Sequence, residues 1–541
     1  MGKVQDIKES VQESVQEIRD SETGQHIVEK SKKGFFHIVF GRTGIIILML
    51  LIQLGILFLL FEKLQGYALY AYGVFTLLST ATAIVIINRP GNPGFKLAWM
   101  VPMIIAPVFG VMLYIFVETQ VGVRILNARL NELSKRMRHF LKQDPKVLEK
   151  LDQEERQVSN LATYVMDKGG FPAFDNCEVK YFSLGEEKFE ALVEELEKAE
   201  KFIFMEYFIV AEGRMWNTIH EILKKKAREG VEVRFMYDGT CTISLLPHSY
   251  PKKLQAEGIQ CKEFNPIKPT LSTTQNNRDH RKIAVIDGKT AFTGGINLAD
   301  EYINEKERFG HWKDTAVMVK GEAVRSFTWM FLQLWDYNVK NENYERYLDI
   351  EQSACPVPSR GFVIPYGDSP LDTENVGELV YMDILNTARD YVHIMTPYLI
   401  LDNEMITALT YAAKRGVDVK IIMPGIPDKT YAFALAKTYY PELLRAGVKI
   451  YQYEPGFVHA KEFTSDGNKA VVGTINLDYR SLYLHFECAV YMYQVDEIAR
   501  IEDDFQATLQ ECREITLEEY KKEKLSTRFY GRMLRLIAPL M

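Results

Sequence analysis

The sequence predicts an α/β protein in which two pseudo-twofold-related domains, with mixed β-sheets flanked by helices, follow an N-terminal transmembrane helical region. Three observations support this fold class. A motif containing histidine, lysine and aspartate occurs twice, strand and helix patterns alternate in the same order around both copies, and three long apolar stretches lie before residue 118. A chain of 541 residues is long enough for two such domains and several appended segments.

The N-terminal region, residues 44–118, contains the three apolar stretches. Residues 44–61 and 66–87 carry no charge, and residues 95–117 carry only Lys96. Each stretch approaches the roughly 20 apolar residues that a helix needs to cross a bilayer. Two prolines interrupt the third stretch, and proline removes a backbone donor and kinks a helix. Two or three membrane crossings therefore agree with the sequence.

Charged or amphipathic segments flank this region. Residues 1–43 form a polar and basic tail, residues 119–160 a basic juxtamembrane linker, and residues 526–541 an amphipathic C-terminal tail. Basic residues at 30–42 and 124–142 favour anionic headgroups, although solvated linkers would explain them equally well. The C-terminal tail is either a surface anchor or a docked final helix.

Composition and charge narrow the classes of function. Hydrophobic residues make up 47% and charged residues 25% of the chain, which excludes a disordered protein. The net charge of −7 argues against a nucleic-acid partner, because such binders are usually basic. A local pocket can still attract an anion. The six cysteines show no CxxC spacing, so no disulfide scaffold or zinc site is indicated, and no metal or other cofactor is predicted.

The repeated motif reveals an internal duplication. Residues 278–297 read RDHRKIAVIDGKTAFTGGIN and residues 457–476 read FVHAKEFTSDGNKAVVGTIN, with equivalent positions 179 residues apart. The equivalent pairs are His280 and His459, Lys282 and Lys461, Asp287 and Asp466, and Asn297 and Asn476. Because the whole set keeps one spacing, chance similarity is a poor explanation.

The duplication extends upstream as matching apolar runs that are typical of buried strands. The matching pairs are residues 202–210 with 392–400 and residues 231–239 with 417–425. A helical stretch closed by glycine lies between the two runs of each half, which is a βαβ pattern. A proline-rich run at residues 354–365 separates the halves. We therefore predict domains at residues 161–353 and 354–525.

The motif suggests phosphate chemistry. Histidine and lysine are two residues apart in each copy, and alternate residues of a strand point the same way. The ammonium group neutralises phosphate charge, while the imidazole acts as nucleophile or proton carrier. The asparagine amides that follow the glycine-containing turns are suited to binding phosphoryl oxygens. Two such half-sites around one phosphorus would support a double displacement without a metal.

Carboxylates are predicted behind the imidazoles. Asp314 and Glu487 begin equivalent strands, 34 and 28 residues after the histidines of their own halves, and a carboxylate at this position holds a ring neutral and oriented. Asp287 and Asp466 complete the catalytic signature. Their odd offset from histidine favours a turn-forming, structural role over a chemical one.

Further residues are predicted to contact the substrate headgroup. They are Gly295 and Thr474 in the turns before the asparagines, and Glu206, Tyr207, Pro397 and Tyr398 on the matching strands. Core packing would explain the four strand residues equally well. Three histidines outside the motif (His311, His393 and His485) are predicted to have no catalytic role.

Two HxKxxxxD motifs, followed by GGIN and GTIN, resemble the phospholipase D superfamily, and within it the bacterial cardiolipin synthases. The resemblance covers the chain from about residue 66. It includes HRKIAVIDGK, FVHAK, VGTINLDYRS, the apolar PVFGVMLYIFVE and the ending PLM. One such motif alone would be weak support, whereas two in register with matching flanks are specific.

The resemblance implies two phospholipase D-like domains, a phosphohistidine mechanism without a metal, and phosphatidyl transfer between two phosphatidylglycerol molecules to give cardiolipin and glycerol. It implies that His280 is the nucleophile and His459 the general acid and base. It also implies a multi-pass protein of the bacterial cell membrane, with its catalytic domains on the cytoplasmic side.

The implied partners are anionic phospholipids (phosphatidylglycerol and cardiolipin) and the bilayer, and a homo-oligomer is compatible with the sequence. Two alternative functions remain. A phosphodiester hydrolase would use the same site, because water and an alcohol compete for the same phosphohistidine. A non-catalytic membrane scaffold is the other, although both motifs are intact. The residues of the motifs do not by themselves identify the acceptor alcohol.

Overall fold

A computed structural model describes residues 68–118, 126–130, 132–133, 140–267, 273–336, 343–348, 359–372 and 374–540, and positions 51, 55 and 59. The predicted N-terminal tail (1–43), most of the first apolar stretch (44–61) and much of the juxtamembrane linker lie outside the described residues. The chain forms two compact units. The first comprises Met1–Gly91, Trp99–Thr119 and Lys268–Ser272, and the second comprises Asn92–Ala98, Gln120–Ile267 and Thr273–Met541.

The described part of the first unit is helical. Helix α1 (Ala68–Asn88) contains most of the predicted second stretch. The predicted third stretch is not one continuous helix, because it forms α2 (Pro93–Ile105), whose first residues belong to the second unit, and α3 (Pro107–Glu118). The break follows from Pro107, which has no backbone N–H to donate into the preceding turn. Among the helices of residues 68–118 and the other described segments, none is both long and apolar enough to cross a bilayer. Within the part of the chain that the structure describes, the predicted transmembrane crossings are not found.

The second unit contains two large mixed sheets. In the first sheet, the strand order is β1-β9-β7-β6-β2-β3-β4, with β2, β3 and β4 parallel and the other pairs antiparallel. The bounds are β1 Glu178–Phe182, β2 Phe202–Tyr207, β3 Glu232–Asp238, β4 Gln260–Phe264, β5 Arg278–Asp279, β6 Ile283–Ile286, β7 Thr290–Gly294, β8 His311–Lys313 and β9 Ala316–Lys320.

The second sheet repeats this order as β10-β19-β17-β16-β11-β13-β14, followed by β20. The bounds are β10 Phe362–Asp368, β11 Tyr391–Met395, β12 Leu399–Ile400, β13 Asp418–Pro424, β14 Lys449–Tyr453, β15 Gly456–Val458, β16 Glu462–Ser465, β17 Lys469–Gly473, β18 Leu477–Asp478, β19 His485–Tyr493 and β20 Cys512–Ile515. Because the two sheets correspond strand by strand, the predicted fold class of two related α/β halves with mixed sheets is confirmed.

Helices cover the sheets of the second unit. Their bounds are α4 Pro145–Glu154, α5 Arg156–Tyr164, α6 Gly185–Glu197, α7 Arg214–Arg228, α8 Tyr250–Ala256, α9 Val324–Trp335, α10 Glu345–Leu348, α11 Val376–Thr387, α12 Asn403–Lys414, α13 Thr430–Ala436, α14 Tyr440–Ala446, α15 Tyr479–Tyr483, α16 Glu497–Gln510, α17 Leu517–Lys522 and α18 Leu525–Arg535. Both predicted βαβ helices are present, as α7 and α12. A continuous apolar core contains residues of both halves, among them Val317 and Val490.

Two short strand pairs join the halves, and they position the site. Strand β5 pairs in parallel with the start of β19, so that Arg278 lies opposite His485. Strand β15 pairs in parallel with β8, so that Val458 lies opposite Lys313. The segment before each HxK motif is thus paired with the segment that precedes a carboxylate in the opposite half.

Candidate active site

The two HxK motifs occupy connections between strands. The sequence predicts them on strands, but residues 280–282 link β5 to β6 and residues 459–461 link β15 to β16. The backbone N–H of His280 donates to the carbonyl oxygen of Phe486 (2.9 Å), and that of His459 donates to the carbonyl oxygen of Lys313 (2.7 Å). Each motif is therefore held where the chain passes from the joining pair into its own sheet.

The imidazoles are held by carboxylates of the opposite halves. His280 Nδ1 lies 2.9 and 3.0 Å from the two carboxylate oxygens of Glu487, and His459 Nδ1 lies 2.6 Å from Asp314 Oδ2. The sequence predicts that each carboxylate contacts the histidine of its own half, and this prediction is wrong. The pairing is crossed because β5 and β15 each run beside the strand that leads to the other half's carboxylate.

Gly295 and Thr474 lie behind the carboxylates. A Cβ atom on Gly295 would lie 2.0 Å from Asp314 Oδ1, so only glycine leaves room for this carboxylate. At the equivalent position, the Thr474 hydroxyl donates to Glu487 Oε2. Neither residue lines the cavity described below, and their positions fit a supporting role rather than the predicted substrate contact.

Burial lowers the pKa of the basic groups. It lowers the pKa of His280 well below the usual range against the opposing effect of Glu487, and burial together with Lys461 does the same for His459. Burial also lowers the pKa of Lys282 to about 8 and that of Lys461 to about 7. Both rings are thus neutral at neutral pH, which a nucleophilic imidazole requires.

The two carboxylates differ. Burial raises the pKa of Asp314 to about 7, and Lys461 offsets this effect only in part. Burial also acts to raise the pKa of Glu487, but its interactions with His280 outweigh burial and hold the pKa below the usual range. The carboxylate behind His280 is therefore ionised at neutral pH, whereas the one behind His459 can carry a proton.

The two asparagines line the cavity but differ in their bonding. Asn297 Oδ1 accepts from the backbone N–H of Ile209 (2.9 Å), and its Nδ2 donates to Tyr302 Oη (2.8 Å). Asn476 Nδ2 donates to Ser481 Oγ (3.1 Å). The buried Asn476 Oδ1 has no hydrogen-bond partner among the described residues.

The two motif aspartates have structural positions. The Asp287 carboxylate accepts hydrogen bonds from the backbone N–H groups of residues 200–202, and that of Asp466 accepts from residues 389–391. Both aspartates have left-handed backbones, with φ of 54° and 53°. They therefore fasten a turn to the start of β2 or β11, as the odd offset suggests.

A cavity of about 720 Å³ contains both histidines in its wall. Its aromatic lining consists of Phe208, Tyr302, Phe309, Trp312, Tyr398, Tyr431, Phe457 and Tyr479. Tyr398 is a predicted pocket residue, and its hydroxyl donates to Asp428 Oδ2 (2.7 Å). Arg308, Lys429 and Arg480 lie in the lining together with Asp428 and Asp478, and Lys429 pairs with Asp428 (2.8 Å). The cavity combines a polar wall that carries both signs of charge with a large aromatic surface.

Three predicted pocket residues lie elsewhere. Glu206 Oε1 accepts from Arg281 Nε (2.6 Å) in the interior, the Tyr207 hydroxyl accepts from Lys188 Nζ (3.0 Å), and Pro397 is buried. In the alignment of the two halves, the equivalent of Tyr398 is Phe208, one position after Tyr207, and Phe208 lines the cavity. The Phe208 ring lies 4.8 Å from that of His280, and Lys282 Nζ lies 5.4 Å from its centroid.

His485, which the sequence predicts to have no catalytic role, lies in the wall of the site. It lines the cavity, and its ring lies 5.4 Å from that of His280. Its Nδ1 lies 3.6 Å from Glu487 Oε1. Nitrogen or oxygen atoms of His280, His485 and Glu487 lie within 4.8 Å of one another, which is close enough to hold a metal ion. His485 escapes a motif comparison because its equivalent in the first half is Trp312.

Comparisons with known proteins match the repeated part of the chain. A family model described as "Cardiolipin synthase, PLD-like domain" matches residues 192–335 and 381–509. A second, "Phospholipase_D-nuclease N-terminal", matches residues 77–118. Both motifs lie inside the two segments of the first match.

Several relatives match over most of their length. An "Uncharacterized protein" of Streptococcus mutans serotype c is 55% identical over 85% of this chain and 99% of its own. "Cardiolipin synthase 2" of Bacillus anthracis is 33% identical over 86% of this chain and 91% of its own. The crystal structure of phosphatidylserine synthase from Haemophilus influenzae covers 72% of this chain and 98% of its own, with 16% identity and a TM-score of 0.53. This last similarity concerns the fold alone.

Proposed function

The chain belongs to the cardiolipin synthase family of phospholipase D-like proteins, and from this premise we propose that it is a phospholipid phosphatidyltransferase that makes cardiolipin and glycerol from two phosphatidylglycerol molecules. The observation that carries the proposal is the crossed pair of histidine–carboxylate contacts in the wall of one cavity. The two motif lysines, Lys282 and Lys461, supply the positive charge that a phosphodiester requires.

In the first step, His280 Nε2 attacks the phosphorus of one phosphatidylglycerol. A nitrogen–phosphorus bond forms, and the bond from phosphorus to the glycerol headgroup oxygen breaks. His459 gives its Nε2 proton to the departing glycerol oxygen and takes up at Nδ1 the proton that Asp314 carries. The contact of His280 Nδ1 with Glu487 supports this role, since it leaves Nε2 for the reaction.

In the second step, a headgroup hydroxyl of another phosphatidylglycerol attacks the phosphohistidine. His459 accepts the hydroxyl proton at Nε2 and returns its Nδ1 proton to Asp314, the nitrogen–phosphorus bond breaks, and His280 returns to its starting state. Lys282 and Lys461 stabilise the charge on the phosphoryl oxygens in both steps. Water in place of the hydroxyl would yield phosphatidic acid, so the acceptor decides between transfer and hydrolysis.

The unequal carboxylates support this division of roles. An ionised Glu487 behind His280 favours the positive charge that this ring acquires as it attacks phosphorus. Asp314, whose pKa burial raises to about 7, can share a proton with His459, which must both donate and accept one. The proposal therefore gives His280 the nucleophilic role and His459 the role of general acid and base.

The proposal places the enzyme at the cytoplasmic face of the bacterial membrane. Its substrates are lipids, and apolar residues fill helices α1, α2 and α3. The match of residues 77–118 to the N-terminal family model agrees with this placement. How many segments cross the membrane, and whether the protein forms a homo-oligomer, stay predictions.

The full chain, reconstituted in liposomes without added metal and supplied with phosphatidylglycerol labelled in both acyl and glycerol parts, tests the proposal. We expect cardiolipin and free glycerol in equal amounts. The acyl label should also become attached to the protein through an acid-labile phosphohistidine. His280→Ala should abolish both products and this labelling of the protein. His220→Ala is the matched control, because this histidine contacts Glu257 on the side of α7 and is not in the cavity wall.

The other products identify the alternatives. Phosphatidic acid without cardiolipin would show a hydrolase. No product from phosphatidylglycerol, with a folded protein, would contradict the proposed reaction and favour a scaffold. Cardiolipin formation that survives in His280→Ala would refute the phosphohistidine assignment.

A further inference from the structure

We infer that the C-terminal segment, residues 525–540, docks on an anionic phospholipid leaflet beside the mouth of the catalytic cavity. The inference rests on the proposed function, because a lipid substrate must pass from a bilayer into this cavity. The surface consists of the outward face of α18 and the 3-10 turn Ala538–Leu540 that follows it.

The first observation is that α18 exposes its apolar side. Its buried side contains Gly531, where a Cβ atom would lie 2.4 Å from the carbonyl oxygen of Ala434 on α13. Leu525, Phe529, Met533 and Leu536 recur at helical spacing on the opposite side and are 77, 66, 46 and 50% exposed. A helix that served only to cover the protein would turn this stripe inward.

The second observation is the charge of the segment. Residues 525–540 contain three arginines (Arg528, Arg532 and Arg535) and no acidic residue, although the whole chain is acidic. Basic residues beside an apolar and aromatic stripe are typical of helices that lie in the interface of an anionic membrane. A leaflet of anionic lipid satisfies both the stripe and the charge.

The third observation is continuity with the cavity. Ala538 forms part of the cavity wall, and so do Tyr431 and Ala432 on α13, the helix against which α18 packs. Phe95, in the predicted third apolar stretch, packs edge-on against Tyr479 of the same wall, with 5.7 Å between ring centroids. Lipid in contact with the outward face of α18 would therefore have its headgroup beside the cavity that contains His280 and His459.

The test compares bilayer and dispersed substrate. Phe529→Glu/Met533→Glu in the full chain should lower cardiolipin formation from phosphatidylglycerol in liposomes by roughly tenfold or more, because two exposed apolar contacts with lipid are lost. Activity on short-chain phosphatidylglycerol below its micellar concentration should be unchanged. Tyr411→Glu is the matched control, since this aromatic side chain on α12 is 55% exposed and lies outside the segment.

A second readout does not depend on turnover. Phe529→Trp in liposomes of phosphatidylglycerol with bromine-labelled acyl chains should show quenching beyond that of the native tryptophans, whereas Tyr411→Trp should not. Absence of this extra quenching, or equal losses on both forms of substrate, would overturn the inference. Quenching of Phe529→Trp in a protein that makes no cardiolipin would uphold docking and refute the proposed function instead.

We also propose, from a separate observation, that His485 binds the phosphodiester of the lipid at His280 by donating a ring N–H to a phosphoryl oxygen. Its side chain is 8% exposed; its Nδ1 faces Glu487 Oε1 at 3.6 Å, beyond hydrogen-bonding distance, and its Nε2 has no hydrogen-bond partner among the described residues. A buried polar group without a partner is unfavourable. The imidazole faces a cavity that would hold the substrate, and the bound lipid would supply the missing acceptor.

The equivalent residue sharpens this proposal. Trp312 stands two residues before Asp314, as His485 stands two residues before Glu487, and both lie in the cavity wall. The Trp312 ring lies 5.5 Å from that of His459, and the His485 ring lies 5.4 Å from that of His280. Trp312 Nε1 is also buried without a hydrogen-bond partner among the described residues, so a ring N–H donor lies beside the motif histidine in each half.

Two substitutions separate hydrogen bonding from packing. If His485 binds phosphate, His485→Asn should retain most activity, whereas His485→Phe should raise KM for phosphatidylglycerol by roughly tenfold. The opposite order would show packing and overturn the proposal. Stabilisation of the protein by inorganic phosphate in thermal unfolding gives a readout without turnover, and it should weaken in His485→Phe but not in His485→Asn. If the wild-type protein makes no cardiolipin but phosphate stabilises it with this pattern among the variants, the proposed reaction is refuted and the phosphate-binding role of His485 is upheld.

Discussion

A methyl group added to the first half should disable the histidine of the second half. Gly295 has an ordinary backbone conformation, yet its Cβ position lies 2.0 Å from Asp314 Oδ1. A carbon and an oxygen in ordinary contact lie about 3.3 Å apart. Gly295→Ala must therefore displace the carboxylate by roughly 1.3 Å. Asp314 holds His459 through a contact of 2.6 Å, which such a displacement would break.

The size of the effect follows from the role of His459. Misplacing a reacting group by about 1 Å costs on the order of 100-fold in rate, and loss of a general acid and base costs about 10²- to 10⁴-fold. We expect Gly295→Ala to lower kcat for cardiolipin synthesis by at least about 100-fold. Thr474→Ala is the control from the equivalent turn, since this position already holds a Cβ atom, and we expect a loss of about tenfold at most.

The assay is cardiolipin synthesis by purified full-length variants whose thermal unfolding matches the wild type. Asp314→Ala removes the atoms that Gly295→Ala would displace, so the double variant should be no slower than Asp314→Ala alone. A further large loss in the double variant would show that the methyl group acts through the backbone. Wild-type activity in Gly295→Ala would refute the crossed contact as the support of His459.

Three further predictions follow from the site. Burial lowers the pKa of Lys461 to about 7, so its ammonium loses its charge as pH rises through this value, and kcat/KM should fall. Lys461→Arg stays protonated and should shift this fall to higher pH, as a pH–rate profile would show. Asp466→Asn should lower the free energy of unfolding by about 1–3 kcal/mol while folded protein keeps its kcat, as denaturant titration and assay together would show. Thr474→Val should lower kcat by roughly tenfold by removing the hydroxyl that holds Glu487, whereas Thr474→Ser should retain activity in the same assay.

The halves and their strands could be predicted because the duplication preserves local patterns. A run such as Ile283–Ile286 is buried throughout, so its apolar character is readable without any partner. The motif pairs could be predicted for the same reason. The crossed carboxylates could not, since the pairing of β5 with β19 and of β8 with β15 is a tertiary contact that no periodicity within one half contains.

The remaining differences have similar causes. His485 escaped because a comparison of repeats finds shared residues, and its importance would lie in a difference from Trp312. The sequence predicts Glu206 near the substrate because its strand lies next to the predicted site. Both faces of β2 are buried, however, and the Glu206 carboxylate accepts a hydrogen bond from Arg281 instead. The sequence of the third apolar stretch leaves two or three crossings open, because two prolines interrupt it, and Pro107 divides this stretch into helices of 13 and 12 residues.

The exchange of carboxylates between the halves has a consequence for how such a site can arise. Neither half contains a supported imidazole by itself, but two identical copies of one half, docked as these two are, would support both. A single ancestral unit could have reached this arrangement only as a homodimer, and dilution would have dissociated it. Joining the copies in one chain makes the site independent of protein concentration. It also frees the two halves to diverge, as Asp314 and Glu487, Gly295 and Thr474, and Trp312 and His485 have done.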